Sequence, residues 1–191
     1  VKEIENLKVN QVLIGSCTNG SYKDMMITSH MLKGLKIAPW VSFGVAPGSR
    51  QVLEMVTENG AIVNIIRSGA RILELACGFC IGAGQAPSSK GISIRTNNRN
   101  FKGRSGTVDA EVYLVSPETA VASAVKGFLT DPRDFAKEYG IEEFKFSIPS
   151  KFWVDDSQFL YPENNPEENI IRGPNIGNPP YNEPLSKDIK G

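Results

Sequence analysis

The chain has 191 residues, enough for one ordinary domain with an appendage. Lys and Arg together number 21, as do Asp and Glu, so zero net charge gives no field that would attract nucleic acid or an anionic membrane. No apolar run approaches the roughly 20 residues that span a bilayer, and no signal peptide is recognisable at the start. Three cysteines without an obvious pairing favour a reducing intracellular setting, the cytoplasm or, in a eukaryote, the mitochondrial matrix. The start at Val1, without an initiator methionine, indicates a piece of a longer polypeptide.

The hydrophobic pattern predicts strands that alternate with helices along the first three quarters of the chain. Strands are predicted at residues 9–14, 41–45, 71–75, 92–94 and 112–115. Helices are predicted at residues 22–35, 50–59 and 61–68, after Ser116-Pro117 and after Asp131-Pro132, with Ser49 as a further N-cap. This alternation predicts the α/β class, a three-layer α/β/α fold with a mostly parallel sheet. Ligands of such sheets bind beyond the carboxyl ends of the strands.

The composition changes after residue 139. Seven of the 12 prolines lie in residues 140–191, where apolar runs are few. We interpret this part as an extended proline-rich arm or interdomain linker rather than a second core. The predicted division is therefore an α/β domain over residues 1–139 and an arm over residues 140–191.

The three cysteines lie in glycine-containing segments that follow predicted strands. Cys77 and Cys80 have the C-x-x-C spacing, and Cys17 lies in a separate loop. Three thiolates suit a metal cluster with one open position better than a closed four-ligand zinc site. Buried structural thiols and a thioredoxin-like redox pair remain alternatives. His30, the single histidine, lies inside a predicted helix and is interpreted as an ordinary helix residue.

A polar loop over residues 97–104 follows the fourth predicted strand. It carries Arg99 and Arg104, and because guanidinium groups bind carboxylates in a bidentate manner, the pair is a candidate site for a polycarboxylate. The amide of Asn98 can donate a hydrogen bond to cluster sulfides. The alternative is an ordinary solvated loop.

Three motifs resemble the signatures of the aconitase family, in the family's order and at similar spacing. They are Ile14-Gly15-Ser16-Cys17-Thr18-Asn19-Gly20-Ser21-Tyr22, Ala76-Cys77-Gly78-Phe79-Cys80-Ile81-Gly82 and Asn98-Arg99-Asn100-Phe101-Lys102-Gly103-Arg104. Residues 115–119 resemble a following segment of the family, and residues 172–176 resemble the linker to a mobile C-terminal domain. Gly20 and Phe79 depart from the residues common in the family, but neither change removes a thiol.

The resemblance implies that the three cysteines hold a [4Fe-4S] cluster with one iron free of protein ligands, which acts as a Lewis acid on a citrate-like substrate. It implies that Arg99 and Arg104 hold substrate carboxylates and that Asn98, Ser16 and Asn19 lie near the cluster. The implied reaction is that of a hydro-lyase of the tricarboxylic acid cycle. Citrate would be dehydrated to cis-aconitate and rehydrated to isocitrate.

The resemblance further implies that this chain is the third, cluster-bearing domain plus the linker to the swivel domain. Its expected partners are a tricarboxylate substrate and the N-terminal and swivel domains of the same polypeptide, without a membrane. We predict that the segment by itself is inactive and that its cluster is absent or damaged, because the thiols would be open to oxygen.

The proline-rich arm favours a single-chain enzyme with a fused swivel domain. Homoaconitase and 3-isopropylmalate dehydratase remain alternatives within the family. An RNA-binding or regulatory cluster-free form is an alternative of a different class, and the absence of a basic stripe argues against it.

Overall fold

The computed structural model describes residues 1–157, 159–162, 173–174 and 177. The chain divides into two units, Val1–Asp155 and Asp156–Gly191. In the second unit the amide of Phe159 donates a hydrogen bond to the carbonyl of Asp156, 3.0 Å away. Of the linker-like segment 172–176, residues 172, 175 and 176 lie outside the described residues. Among the helices that the structure describes, none has the length and apolar composition needed to cross a membrane.

A five-stranded parallel sheet forms the centre of the first unit. Its strands are β1 (Gln11–Gly15), β2 (Ser42–Ala46), β3 (Arg71–Ile72), β4 (Ile92–Arg95) and β5 (Glu111–Leu114). The spatial order is β3-β2-β1-β4-β5, so the direction of winding reverses between β1 and β4. At such a reversal the neighbouring connections leave on opposite faces, and a crevice forms beyond the carboxyl ends of the two strands.

The helices connect the strands or follow the last of them. They are α1 (Ser16–Asn19), α2 (Tyr22–Leu32), α3 (Arg50–Glu58), α4 (Ala61–Ser68), α5 (Pro117–Lys126) and α6 (Pro132–Tyr139), with 3₁₀ turns at Lys2–Ile4 and Gly78–Ile81. Three predicted N-caps are confirmed, since the side chains of Ser49, Ser116 and Asp131 accept hydrogen bonds from the first turns of α3, α5 and α6.

The two faces of the sheet are covered differently. One, called here the helical face, packs its alternate side chains into the main core with α2, α4 and α5. The sheet contributes Val12, Ile14, Phe43, Val45 and Ile94 to that core. On the other, called here the cysteine face, Leu13 and Ala46 form a smaller cluster with Phe79 and Cys80. Because parallel connections are right-handed, the chain must cross to the cysteine face when it passes from β3 back to β4.

The predicted α/β class and the parallel sheet between two covering layers are confirmed. The layer on the cysteine face contains the 3₁₀ turn Gly78–Ile81. Strand β3 ends at Ile72, earlier than predicted. The amide of Leu73 donates one further bond to the carbonyl of Val45 (2.8 Å), and the side chain of Leu73 packs onto the cysteine-face cluster. Helix α2 ends at Leu32, before Gly34, whose φ of 77° lies in the left-handed region.

Residues 141–155 belong to the first compact unit, although no helix or strand forms there. The ring of Phe144 lies 5.3 Å from that of His30, and the ring of Phe146 lies 6.2 Å from that of Tyr22. The Nε2 of His30 donates to the carbonyl of Glu142 at 2.9 Å. These contacts attach the start of the proposed arm to α2, while a domain boundary at residue 139 stays a prediction.

Candidate functional site at the carboxyl ends of β1 and β4

The turn after β1 directs Cys17 out of the sheet. Gly15 has a φ of 116° and the buried Ser16 a φ of 78°, so two consecutive residues adopt backbone conformations with positive φ. A Cβ on Gly15 would lie 1.8 Å from the carbonyl oxygen of Ala46, which restricts this position to glycine. The sharp turn leaves the thiol of Cys17 exposed at the edge of the sheet.

The other two cysteines lie on the 3₁₀ turn of the cysteine face. Cys77 is exposed and precedes the turn, whereas Cys80 lies inside it and is buried. The sulfur atoms of Cys77 and Cys17 are 3.7 Å apart. All three cysteines are free thiols, so two distant segments bring them to one edge of the sheet without a disulfide.

The contacts between the thiols shift their acidity in opposite directions. The hydrogen bond with Thr18, and then that with Cys77, lowers the pKa of the Cys17 thiol below its ordinary value. The same contact with Cys17 raises the pKa of Cys77, and negative charge on Cys17 and Cys80 raises it further. Three thiolates at this edge therefore repel one another unless a cationic centre lies between them.

The donor set has the chemistry of an iron–sulfur site. Thiolates are the ligands of such clusters, and here they are three free cysteines with neighbouring glycines. Within the described residues, no three His, Cys, Asp or Glu side chains surround a single metal-ion position. A cluster presents several iron atoms to separate thiolates, so these residues fit a cluster better than a mononuclear ion.

The end of β4 holds the Cys17 turn in place. Thr96 accepts a hydrogen bond from the amide of Gly15 at 2.9 Å through its hydroxyl oxygen, and its carbonyl accepts another from the side chain of Asn19. The side-chain amide of Asn98 donates a hydrogen bond to the hydroxyl oxygen of Thr18 at 3.3 Å. The structure thus brings Ser16, Asn19 and Asn98 together around Cys17, while their position beside a cluster stays a prediction.

The loop with the two arginines lies against the cysteine turn. A Cβ on Gly82 would lie 2.2 Å from the carbonyl oxygen of Ser105, so the two backbones are in direct contact. Arg99 is exposed, whereas Arg104 is half-buried with its guanidinium 5.7 Å from the ring of Phe101. The Nε of Arg104 is buried without a hydrogen-bond partner among the described residues.

Sequence reasoning missed Arg95, the last residue of β4. Its side chain is fully buried and donates to neutral oxygen atoms: Ser93 Oγ (2.9 Å), Gln11 Oε1 (2.9 Å), and the carbonyls of Phe79 and Gln85. Desolvation lowers the pKa of the guanidinium to about 10. The sequence did contain a signal for a polar site on one face of β4, because Ser93 and Arg95 alternate with the apolar residues of that strand.

Asn97 was also missed as an individual residue. It is buried, and its Oδ1 has no hydrogen-bond partner among the described residues. An unpaired buried amide oxygen costs free energy, and this one lies two residues past Arg95 at the carboxyl end of a strand that borders the crevice.

Comparison with known proteins agrees with this geometry. Residues 1–127 match the aconitase family (aconitate hydratase), so the chain belongs to that family. It is 42% identical over 139 residues to the homoaconitase large subunit of Thermus thermophilus, covering 72% of this chain and 33% of that protein. It is 44% identical over 136 residues to 3-isopropylmalate dehydratase large subunit 2 of Archaeoglobus fulgidus, covering 71% of this chain and 33% of that protein.

The methanogen homoaconitase large subunit of Methanocaldococcus jannaschii is 40% identical over 135 residues, which cover 70% of this chain and 32% of that protein. The chain spans about a third of the length of these relatives. Their names favour the homoaconitase or isopropylmalate dehydratase alternative over a citrate–isocitrate aconitase, and they give no support to a place in the tricarboxylic acid cycle.

Proposed function

We propose that this chain is the cluster-bearing segment of an iron–sulfur hydro-lyase of the homoaconitase or 3-isopropylmalate dehydratase type. The reaction is the reversible loss and readdition of water on a 2-hydroxy acid with several carboxylates. The observation that carries the proposal is the meeting of the three free cysteines at one sheet edge, beside the Asn98–Arg104 loop. Membership of the aconitase family and the names of the relatives support it.

In this proposal Cys17, Cys77 and Cys80 hold a [4Fe-4S] cluster, which supplies Lewis-acid chemistry when bound. The exposed guanidinium of Arg99 binds a substrate carboxylate from the solvent side. Arg104 lies deeper and offers its unpaired buried Nε–H to a second carboxylate. Two cations in one loop select a substrate with more than one carboxylate.

The base that removes the proton from carbon comes, in this proposal, from another domain or a second subunit. The relatives named above are large subunits, and hydro-lyase chemistry requires both a proton acceptor and a route for the departing hydroxyl. We therefore expect the isolated segment to be inactive even when iron is bound.

The first experiment is anaerobic reconstitution with iron and sulfide of the complete protein that contains this chain. Each single substitution, Cys17→Ser, Cys77→Ser and Cys80→Ser, is expected to abolish the cluster absorption and EPR signals while far-UV circular dichroism stays native. Thr57→Ser on α3, remote from the cysteines in the chain, is the control and should load like the wild type. Normal loading of all three cysteine variants would contradict the proposal.

The second experiment measures the substrate site. Arg99→Gln should raise KM for a polycarboxylate about 10-fold or more, from the roughly 1.5–3 kcal/mol of a hydrogen bond between charged groups. Arg50→Gln is the matched control, since Arg50 is an exposed arginine of α3 that pairs with Asp155. Turnover of 3-isopropylmalate, homoaconitate and citrate, compared side by side, decides the substrate; preferential turnover of citrate would contradict the assignment of type.

A further inference from the structure

The guanidinium of Arg95 is a buried cation with no carboxylate partner in the described part of the chain. Arg95 takes part in none of the ion pairs that the described residues form, which are Lys2–Asp134, Arg50–Asp155, Lys126–Glu138 and Arg133–Asp131. Burying an unpaired cation costs free energy even when its N–H groups are hydrogen-bonded. The chain therefore keeps an uncompensated positive charge inside the cysteine face.

The acidic group that acts on this cation is a cysteine, which is negatively charged once its thiol is deprotonated. Cys80 acts on Arg95 electrostatically and raises its pKa, opposing the larger effect of desolvation. Three thiolates bring three negative charges to this edge, more than a [4Fe-4S]²⁺ core offsets, so the loaded centre is anionic. The buried cation and an anionic centre would compensate each other.

Arg95 also connects the strand to two points of the cysteine loop. Its Nη1 donates to the carbonyl of Phe79, inside the 3₁₀ turn, and its Nη2 donates to the carbonyl of Gln85 at 2.7 Å. Gln11 Oε1 also holds the guanidinium in place. It accepts one hydrogen bond from Arg95 Nη2 at 2.9 Å and another from Ser93 Oγ at 2.8 Å. Arg95 thus helps to hold the C-x-x-C turn over the sheet, together with the packing of Phe79 and Cys80 on Leu13 and Ala46.

We propose that Arg95 is a positioning residue that holds the Cys77–Cys80 turn and whose buried charge raises the reduction potential of the cluster and slows its loss in air. The inference rests on the proposed function, since it requires a cluster on these cysteines. A cation close to a redox centre stabilises the more negative, reduced form. A buried cation does so more strongly than an exposed one, because solvent screens it less.

The test is the midpoint reduction potential of the reconstituted complete protein. Arg95→Gln should lower the potential and speed the loss of iron in air, while Arg95→Lys, which keeps the charge, should shift the potential less. Arg71→Gln is the matched control, because Arg71 is an exposed arginine that donates to the side chain of Gln85 at 2.9 Å. The Arg71→Gln variant should have the same midpoint potential as the wild type.

Gln11→Glu keeps the proposal testable if Arg95→Gln does not fold. This nearly isosteric change places a carboxylate against the guanidinium, neutralises its charge and should also lower the potential. Wild-type potentials in both Gln11→Glu and Arg95→Gln would overturn the inference and leave the proposed function standing. A wild-type protein that takes up no cluster would overturn both.

Discussion

The helical face and the cysteine face of the sheet use the same five strands in different ways. On the helical face, side chains from β1, β2 and β4 interdigitate with helices in a large apolar core. On the cysteine face the apolar cluster is small, and the other contacts include close approaches between backbone segments and hydrogen bonds that Arg95 donates to backbone carbonyls. The difference separates two tasks, because apolar packing supplies stability while directional contacts set the positions of the thiols.

The largest expected effect is on the helical face. Phe43 is 1% exposed in the main core, and Phe43→Ala should lower the free energy of unfolding by about 3–5 kcal/mol. Chemical denaturation measures this loss. In the native state the reactivity of the exposed thiols of Cys17 and Cys77 should stay unchanged. Altered thiol reactivity would contradict the separation of the two faces.

A smaller effect is expected at Gly82 on the cysteine face. Its φ of 84° costs an alanine about 1–2 kcal/mol, and the added Cβ would also meet the carbonyl of Ser105 at 2.2 Å. Gly84→Ala is the matched control, since Gly84 has a φ of 67° and no atom of the described residues lies within 4 Å of the added Cβ. Thermal unfolding should show a larger loss for Gly82→Ala, and equal losses would show that the close approach has no energetic weight.

The smallest expected effect is a pH dependence at the start of α6, which packs through Phe135 into the helical face. Hydrogen bonds from the side chain and then the amide of Arg133 lower the pKa of the Asp131 carboxyl. A carboxyl whose folded pKa is depressed stabilises the fold above its unfolded pKa, about 3.9, and loses this contribution as the pH falls. In the Asp131→Asn variant the free energy of unfolding should therefore fall less steeply than in the wild type as the pH drops from about 5 to about 2.

Arg133→Gln provides the check on that pH dependence. Because Arg133 supplies the first cause of the depressed pKa, its removal should also reduce the slope of stability against pH. Unfolding in urea at a series of pH values measures both variants. A slope identical to that of the wild type in both would show that this cap does not contribute to acid unfolding.

Much of the helical face could be predicted from sequence because it depends on local signals. The caps at Ser49, Ser116 and Asp131 are followed by helices, and the strands follow the apolar runs. The cysteine face was less predictable, because its structure depends on pairs of residues far apart in sequence. Arg95 is an example, since its burial requires Gln11, 84 residues away, to lie on the same face.

The sequence motifs propose which residues form the candidate site, but they do not indicate how the fold builds it. The motifs identify the cysteines and the arginine loop, and the structure brings Cys17 and Cys77 within 3.7 Å. They do not indicate that Thr96 holds the Cys17 turn, because threonine after a strand has no distinctive pattern. The early end of β3 was also missed, because Leu73 is as apolar as a strand residue and continues the run that predicts a strand.

The place of β4 beside β1 also sets the order in which the site can be assembled. Strands β1, β2 and β3 are made first and are neighbours in the sheet, so they can pair as the chain leaves the ribosome. The bonds of Thr96 to the Cys17 turn and of Arg95 to the cysteine loop cannot form until residues 92–96 have been synthesised and paired with β1. Until then both cysteine segments lack these supports, so a cluster of the kind proposed would find its complete site only after β4 has paired with β1.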